Sequence, residues 1–447
     1  MTFPVLASSY AGYASPQSVD GTTAWVAPAG GDAPSQFILS SGSLATTVTI
    51  AVKGSSPSTY PTVAGVNGGG TNTNSTSQTV NLPASIASGD LLIAILSIDD
   101  TATLTWPGGW TLLSESDATS VTQSIYYRVA DGSEGATISV TTSVSQASTN
   151  TVYRIQNYTG TPHVTAAMPT TSSVSNMYVP PCKPAWSGAS LFLVAISNGT
   201  TPTVSTWPIN YTDTRNDAAP GTNSVGTGTA RREIDVTSTN GAAVVVVLSV
   251  DGNPSISGWP SGYSSLFQTD SPSNNNRLSA QYKIGDGTER DFTLTLGSAQ
   301  AGTVFGAVVS GVQGSVEAGT SATGTSTGPN PPSLSPSWGA DDTLWIAVQG
   351  NDATATTSGD PSNYTTAGAQ AGGFSPSSGI SAAYRQRNAS SEDPDAFTIS
   401  SSEQWVANTI AIRPASAGGG GTGQPYIKRV GGVPHMSRSQ FASRGQW

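Results

Sequence analysis

Short apolar runs recur along the chain, each bounded by clusters of Gly, Pro, Asn and Ser: "LLIAILSI" from Leu91, "SLFLVAIS" from Ser190, "VVVVLSV" from Val244 and "TLWIAVQG" from Thr343. Lengths near eight, β-branched enrichment and glycine punctuation predict strands buried on both faces rather than helices. Two further segments, "ATISVTT" and "DFTLTLG", alternate apolar and polar positions and predict strands with one wet face. No stretch carries the 3.6-residue periodicity of a three-turn amphipathic helix. The expected fold is all-β: tandem antiparallel β-sandwich domains, Ig-like or jelly-roll-like, with a flexible C-terminal peptide.

The pattern repeats. Trp106 in "TWPGGWTLL" matches Trp259 in "GWPSGYSSL", Tyr127 matches Tyr282, "TVYRI" from Thr151 matches "TVFGA" from Thr303, and Trp186 matches Trp338, all at spacings of 152 to 155 residues. Independent landmarks on one offset mark a tandem duplication. Within each copy a weaker half-repeat, [WD]-P-x-x-[WY]-[TS], begins at positions 106, 207, 259 and 360. Each half is expected to supply about seven strands, the content of a small sandwich. The division that follows is an N-terminal β-rich arm or small domain at 1–61, copy one at 62–240, copy two at 241–414, and a Gly-rich linker with a basic peptide at 415–447. Two features blur the junction. "GAAVVVVLSV" aligns with the opening strand "GDLLIAILSI" yet also resembles the closing strand "WVANTIAIRP", which leaves a shared or exchanged strand open. Copy one also lacks a clear equivalent of "EQWVANTIAIRP".

Composition narrows the function classes. Only 10% of residues are charged, against roughly 25% in ordinary soluble domains, so hydroxyls and amides carry the solubility. The net charge of -10 argues against a nucleic-acid role. The sign reverses locally: from Ala415 onward the charged side chains are Lys428, Arg429, Arg438 and Arg444, on a glycine leash with Tyr426, Phe441 and Trp447. Such a segment is suited to ordering on a partner surface. A single cysteine, Cys182, excludes an intramolecular disulfide framework. The first residues lack a basic and apolar signal pattern, and no apolar run approaches the ~20 residues of a membrane helix. A protein made in the cytoplasm, without a membrane span, is expected.

Candidate chemistry is sparse. The acidic segments "ADGSEGA" and "GDGTERD" offer Asp131 and Glu134, then Asp286, Glu289 and Asp291, too few oxygens for a calcium loop without outside help. Flanked by strands, they predict a hairpin turn or short loop built on Asp-Gly. The acids Asp99, Asp100, Asp341, Asp342, Glu392, Asp393 and Asp395 read as solvated strand ends and loops, since adjacent acids on a strand point to opposite faces. With two histidines, His163 and His435, neither a multi-histidine metal site nor His-based catalysis is supported, and Cys182 reads as an inert thiol. No catalytic residue, metal or cofactor is expected. The aromatics of the W-P elements, Trp110, Tyr211, Tyr263 and Tyr364, are candidates for stacking on glycans, although their regular recurrence favours packing.

The segments "NLPASIASGDLLIAILS", "TWPGGWTLL", "YRVADGSEGATISVTTS", "PPSLSPSWGADDTLWIAV" and "SSEQWVANTIAIRPA", spanning most of residues 77–414, resemble a repeat module of tailed-bacteriophage virion proteins, and "RVGGVP" is similar to the ends of small phage structural proteins. The resemblance implies a non-enzymatic virion component, a head decoration or head fibre. The alternative is a tail fibre or spike binding host surface glycans; a polysaccharide depolymerase is a weaker third. Expected partners are the major capsid protein or tail proteins, with host glycans second and no nucleic acid. Homo-oligomerisation is expected by analogy with phage fibres. Docking is expected through Lys428, Arg429, Arg438, Arg444 and Trp447, with the N-terminal 60 residues as the competing anchor.

Overall fold

The computed structural model describes residues 5–14, 23–26, 36–170, 173–200, 203–208, 210–219, 225–236, 238–298, 300–352, 355–371 and 378–415, with only the backbone at 5–14, 23–26, 174 and 370–371. All regular structure among them is β, as the apolar pattern predicts. Among the described residues no helix is long and apolar enough to cross a membrane.

Four strands precede the repeats: β1 (Val5–Ala14), β2 (Thr23–Val26), β3 (Phe37–Ser43) and β4 (Ala45–Lys53). The first half of copy one holds β5 (Thr62–Asn81), β6 (Leu91–Asp99), β7 (Leu104–Thr105), β8 (Thr111–Asp117), β9 (Val121–Val129) and β10 (Thr137–Gln156). Its second half holds β11 (His163–Val164), β12 (Met168–Pro169), β13 (Val174–Met177), β14 (Gly188–Asn198), β15 (Val204–Thr206), β16 (Thr212–Ala219) and β17 (Val225–Val236). Copy two opens with β18 (Ala243–Asp251), β19 (Ile256–Ser257), β20 (Ser264–Asp270), β21 (Asn276–Ile284), β22 (Phe292–Leu296) and β23 (Gly302–Ser310). It ends with β24 (Val312–Ala318), β25 (Ala322–Ser326), β26 (Asp341–Asp352), β27 (Thr357–Gly359), β28 (Thr365–Ala371), β29 (Ser378–Ala389), β30 (Thr398–Ile399) and β31 (Glu403–Pro414).

One strand order governs every half. The first sheet runs β5-β10-β6-β9-β8 and the last β24-β31-β26-β29-β28, so the apolar opening strand sits at the centre with the closing strand beside it. In the second half the order is β11-β4-β14-β17-β16, and β4 occupies the place of the closing strand. In the third half β1 lies on the outer side of β23, where β5 and β24 lie in their own halves, and β2 extends the row onto β22. The residues before copy one are therefore built into the sheets of both copies. The sequence carries the equivalence: "FILSSGSLATTVTIAVK" from Phe37 runs parallel to "FTISSSEQWVANTIAIR" from Phe397. The hydrogen bonds agree, since Thr49 Oγ1 donates to Pro180 O and Thr409 Oγ1 to Pro332 O, both at 2.6 Å. The strand missing from copy one is supplied from upstream, while "AVVVVLSVD" is the opening strand of the third half.

The opening strands are apolar on both faces because both are covered. Leu91, Ile93 and Ile95 of β6 meet Leu191, Leu193 and Ala195 of β14 and Val48, Ile50 and Val52 of β4 in one core. The alternate residues Leu92, Ala94, Leu96 and Ile98 turn outward beneath Leu104, Trp106 and Trp110. Copy two repeats this, with Val245 and Val247 against Ile346 and Val348 inside, and Val246, Leu248 and Val250 beneath Trp259 outside. Each copy is thus two main sheets face to face, each capped on its far side. Burying a side chain of this size contributes about 1.5–3 kcal/mol, so the inner seams and the outer caps both contribute to cohesion.

Of the two forms expected for the acidic segment, hairpin or short loop, the structure shows the loop. It does not turn a hairpin: β9 pairs with β6 and β8, whereas β10 pairs with β5, β6 and β7, so the loop crosses the end of β6. The same holds in copy two, where β21 pairs with β18 and β20, and β22 with β2 and β19.

Candidate functional site

The crossing loops stabilise themselves. In the second loop, Asp286 accepts hydrogen bonds on Oδ1 from the backbone N–H (2.9 Å) and hydroxyl of Thr288. Glu289 reaches back, accepting from the N–H of Asp286 at 3.1 Å and of Gly287 at 3.2 Å. Lys283 lies 2.8 Å from Glu289 and 3.1 Å from Asp286. Asp131, Gly132, Ser133, Glu134 and Arg128 build the same arrangement in copy one. Gly132 (φ 90°) and Gly287 (φ 89°) occupy left-handed conformations that glycine adopts without strain. The hydroxyl and N–H of Thr288, then Lys283, hold the Asp286 carboxyl well below the usual carboxylate range. Burial acts to raise Glu289, but hydrogen bonds from Lys283 and Thr239 hold it lowered. These oxygens are committed to their own turn, which explains the recurrence without a bound cation.

In copy two the loop does more. Its next acid, Asp291, docks on the segment "PPCKPAW" of copy one: Asp291 N donates to Lys183 O at 2.9 Å, and Lys183 N donates to Asp291 Oδ1 at 3.0 Å. His163 Nε2 lies 2.6 Å from the same oxygen, at the start of β11 where it pairs with Ala51 of β4. Trp186 stands edge-on to the His163 ring at 6.3 Å. The Cys182 thiol is buried, and its sulfur, a His163 ring nitrogen and an Asp291 oxygen all lie within 4.8 Å of one another. Lys183 is 1% exposed and donates to the carbonyls of Pro184 (3.0 Å) and Glu289 (3.4 Å). Burial pulls its ammonium down to about 8, against the opposing pull of Glu289, Cys182 and Asp291. Above this cluster opens a cleft of about 800 Å³, lined from copy one by His163 and Pro181 and from copy two by Tyr263, Lys283, Glu289 and Asp291. The Tyr263 hydroxyl at its wall is buried without a hydrogen-bond partner. Residue-by-residue reading missed this site because its members lie far apart in the chain and only the docking of one copy on the other assembles them.

The other candidates fall elsewhere. Trp110, 9% exposed, packs in the outer core of the first half, 5.5 Å from Trp106, which stacks on Tyr126 at 4.4 Å. Tyr211, 7% exposed, packs in the outer core of the second half. Tyr263 packs with Trp259 and Phe292, and Tyr364 donates to Glu392 at 3.3 Å. The structure does not bring the four rings together; each closes its own half. The residue before each aromatic, Gly109, Asn210, Gly262 or Asn363, has φ between 64° and 88°, so the motif is P-x-[GN]-[WY], a turn whose left-handed position takes Gly or Asn. That narrower pattern is visible in the sequence once the turn is known.

The acids of a depolymerase reading fall in two groups, one in each copy. Asp99 ends β6 in copy one and Asp100 follows it, whereas Glu392 lies in copy two, held by Arg385 and Arg387 at 3.1 Å each. Asp341 pairs with Arg413 and Asp342 accepts from Asn388. One carboxyl pair does form, between Asp251 at the end of β18 and Asp352 at the end of β26; burial, then the charge and hydrogen bond of Asp352, push Asp251 up to about 6. Lys428, Arg429, Arg438, Arg444 and Trp447 lie outside the described residues. Comparison with protein-family models, with curated proteins and with solved structures yields no match for this chain.

Proposed function

We propose that the chain is a structural component of a bacteriophage virion, a head decoration or head fibre in which the β body projects and the glycine-tethered cationic peptide docks. The observation that carries this reading is the fourfold use of one sheet order, locked into a continuous body by strands from residues 5–53 that complete both copies. Such a body is a rigid spacer, its core made by stacking sheets and its surface by Ser, Thr and Gly rather than charge. The packing of Trp110 and Tyr211 inside their cores weakens the glycan-adhesin alternative, which needs exposed ring faces. The depolymerase reading needs two carboxyls about 5 to 9.5 Å apart across one cleft; of the acids considered for it, Asp99 and Asp100 lie in copy one, whereas Asp341, Asp342 and Glu392 lie in copy two, each engaged by an arginine or amide partner.

The test is incorporation. Particles assembled with full-length chain should contain it at fixed stoichiometry, and deletion of residues 418–447 should reduce that content at least tenfold. Wild-type content in the truncated variant would remove the tail as the anchor, and absence of the full-length chain from purified particles would overturn the virion assignment.

A further inference from the structure

We propose that His163, Cys182 and Asp291 form a binding site for a divalent transition-metal ion of the zinc class, pinning copy one to copy two. The donor set decides the chemistry: a thiolate, an imidazole and a carboxylate match zinc and cobalt, whereas magnesium and calcium take oxygen ligands alone. The geometry is close to that need. Bonds of about 2.0–2.3 Å around a tetrahedral ion place ligand atoms roughly 3.5 Å apart, and the three donor atoms already lie within 4.8 Å of one another. Closure requires the short contact between His163 Nε2 and Asp291 Oδ1, now 2.6 Å, to open by under an ångström while the sulfur moves in.

The surroundings prepare the site. The Lys183 N–H fixes Asp291 Oδ1 at 3.0 Å, so the carboxylate is oriented before any ion arrives. The Lys183 ammonium is engaged by the Pro184 and Glu289 carbonyls. Cys182 forms the buried side, while His163 and Asp291 line the 800 Å³ cleft, from which water can complete the fourth position. Two protons are accounted for: the ion takes the sulfur as thiolate, the thiol proton leaving to solvent, and the proton that His163 Nε2 shares with Asp291 Oδ1 is given up so that the neutral imidazole carries its proton on Nδ1. Because His163 and Cys182 belong to copy one and Asp291 to copy two, the ion would cross-link the copies where a disulfide cannot, the chain having one cysteine.

The experiment uses the full chain, stripped with a chelator and titrated with Zn2+ by calorimetry, then with Co2+ by absorption spectroscopy. One equivalent of Zn2+ per chain is expected, and Co2+ should give a thiolate-to-cobalt charge-transfer band in the near ultraviolet. Cys182→Ser should abolish that band, and His163→Gln should weaken Zn2+ at least tenfold, while His435→Gln changes neither. Substoichiometric Zn2+ uptake, or Co2+ bound by the wild-type chain without the charge-transfer band, overturns the site. The wild-type cobalt spectrum decides the question even if a variant fails to fold.

Discussion

Asp251 and Asp352 show how a residue pair can be invisible in sequence and consequential in the fold. Each ends an opening strand that reads as buried, but nothing in either segment says that the two strand ends meet. They meet because β18 and β26 belong to sheets that face each other. Asp251 titrates at about 6 in the folded chain and near 3.8 otherwise, so between those values the folded state holds a proton that the unfolded state has released. The contribution of the shared proton is complete below about pH 4 and is lost as pH rises through 6. Asp251→Asn retains a donor to Asp352 and removes the titration. Its stability, measured by denaturant unfolding, should exceed wild type at pH 7 by on the order of 1 kcal/mol, scaled down from the full shift because the pair is only half-buried. Equal pH profiles for the two proteins would show that the carboxyls do not share a proton.

At the level of elements, the opening strands, their burial on both faces and the repeat period follow from apolar pattern alone. Strand order does not, because a central strand and a closing strand are both apolar runs buried on both faces: "LLIAILSI" and "WVANTIAI" do not announce which lies at the centre. The Asp-Gly segment misleads for a related reason. Its turn chemistry is real, yet it serves a loop that crosses a strand, and only pairing distinguishes that from a hairpin. The clearest case is β4, whose "TIAVK" mirrors "TIAIR" of β31 although one precedes the repeats and the other ends them. Ile50 pairs with Leu193 and Ile410 with Ile346, and all four are fully buried. Ile50→Ala and Ile410→Ala should therefore each cost about 3 kcal/mol by equilibrium unfolding. A cost below 1 kcal/mol at Ile50 would mean that β4 is not a core strand.

For the whole molecule, the exchange of strands makes the two copies interdependent. β4 covers one edge of β14, and β1 covers one edge of β23. A chain starting at residue 54 would expose both apolar edges, a template for association. It should aggregate on size-exclusion chromatography, and a synthetic peptide of residues 37–53 should restore part of the monomer. A soluble, cooperatively melting 54–447 fragment would contradict this. The cluster of His163, Cys182 and Asp291 was illegible for the same reason: it exists only where the copies dock. The exchange also imposes a schedule during synthesis. Val5 pairs with Ser310, so at about 5–20 residues per second the ribosome needs roughly 15–60 s to deliver the partner of a strand it made first. Through that interval "TTVTIAV" waits for β14 and β1 waits longer for β23. Slower elongation lengthens this exposure, making translation speed and chaperone supply determinants of yield.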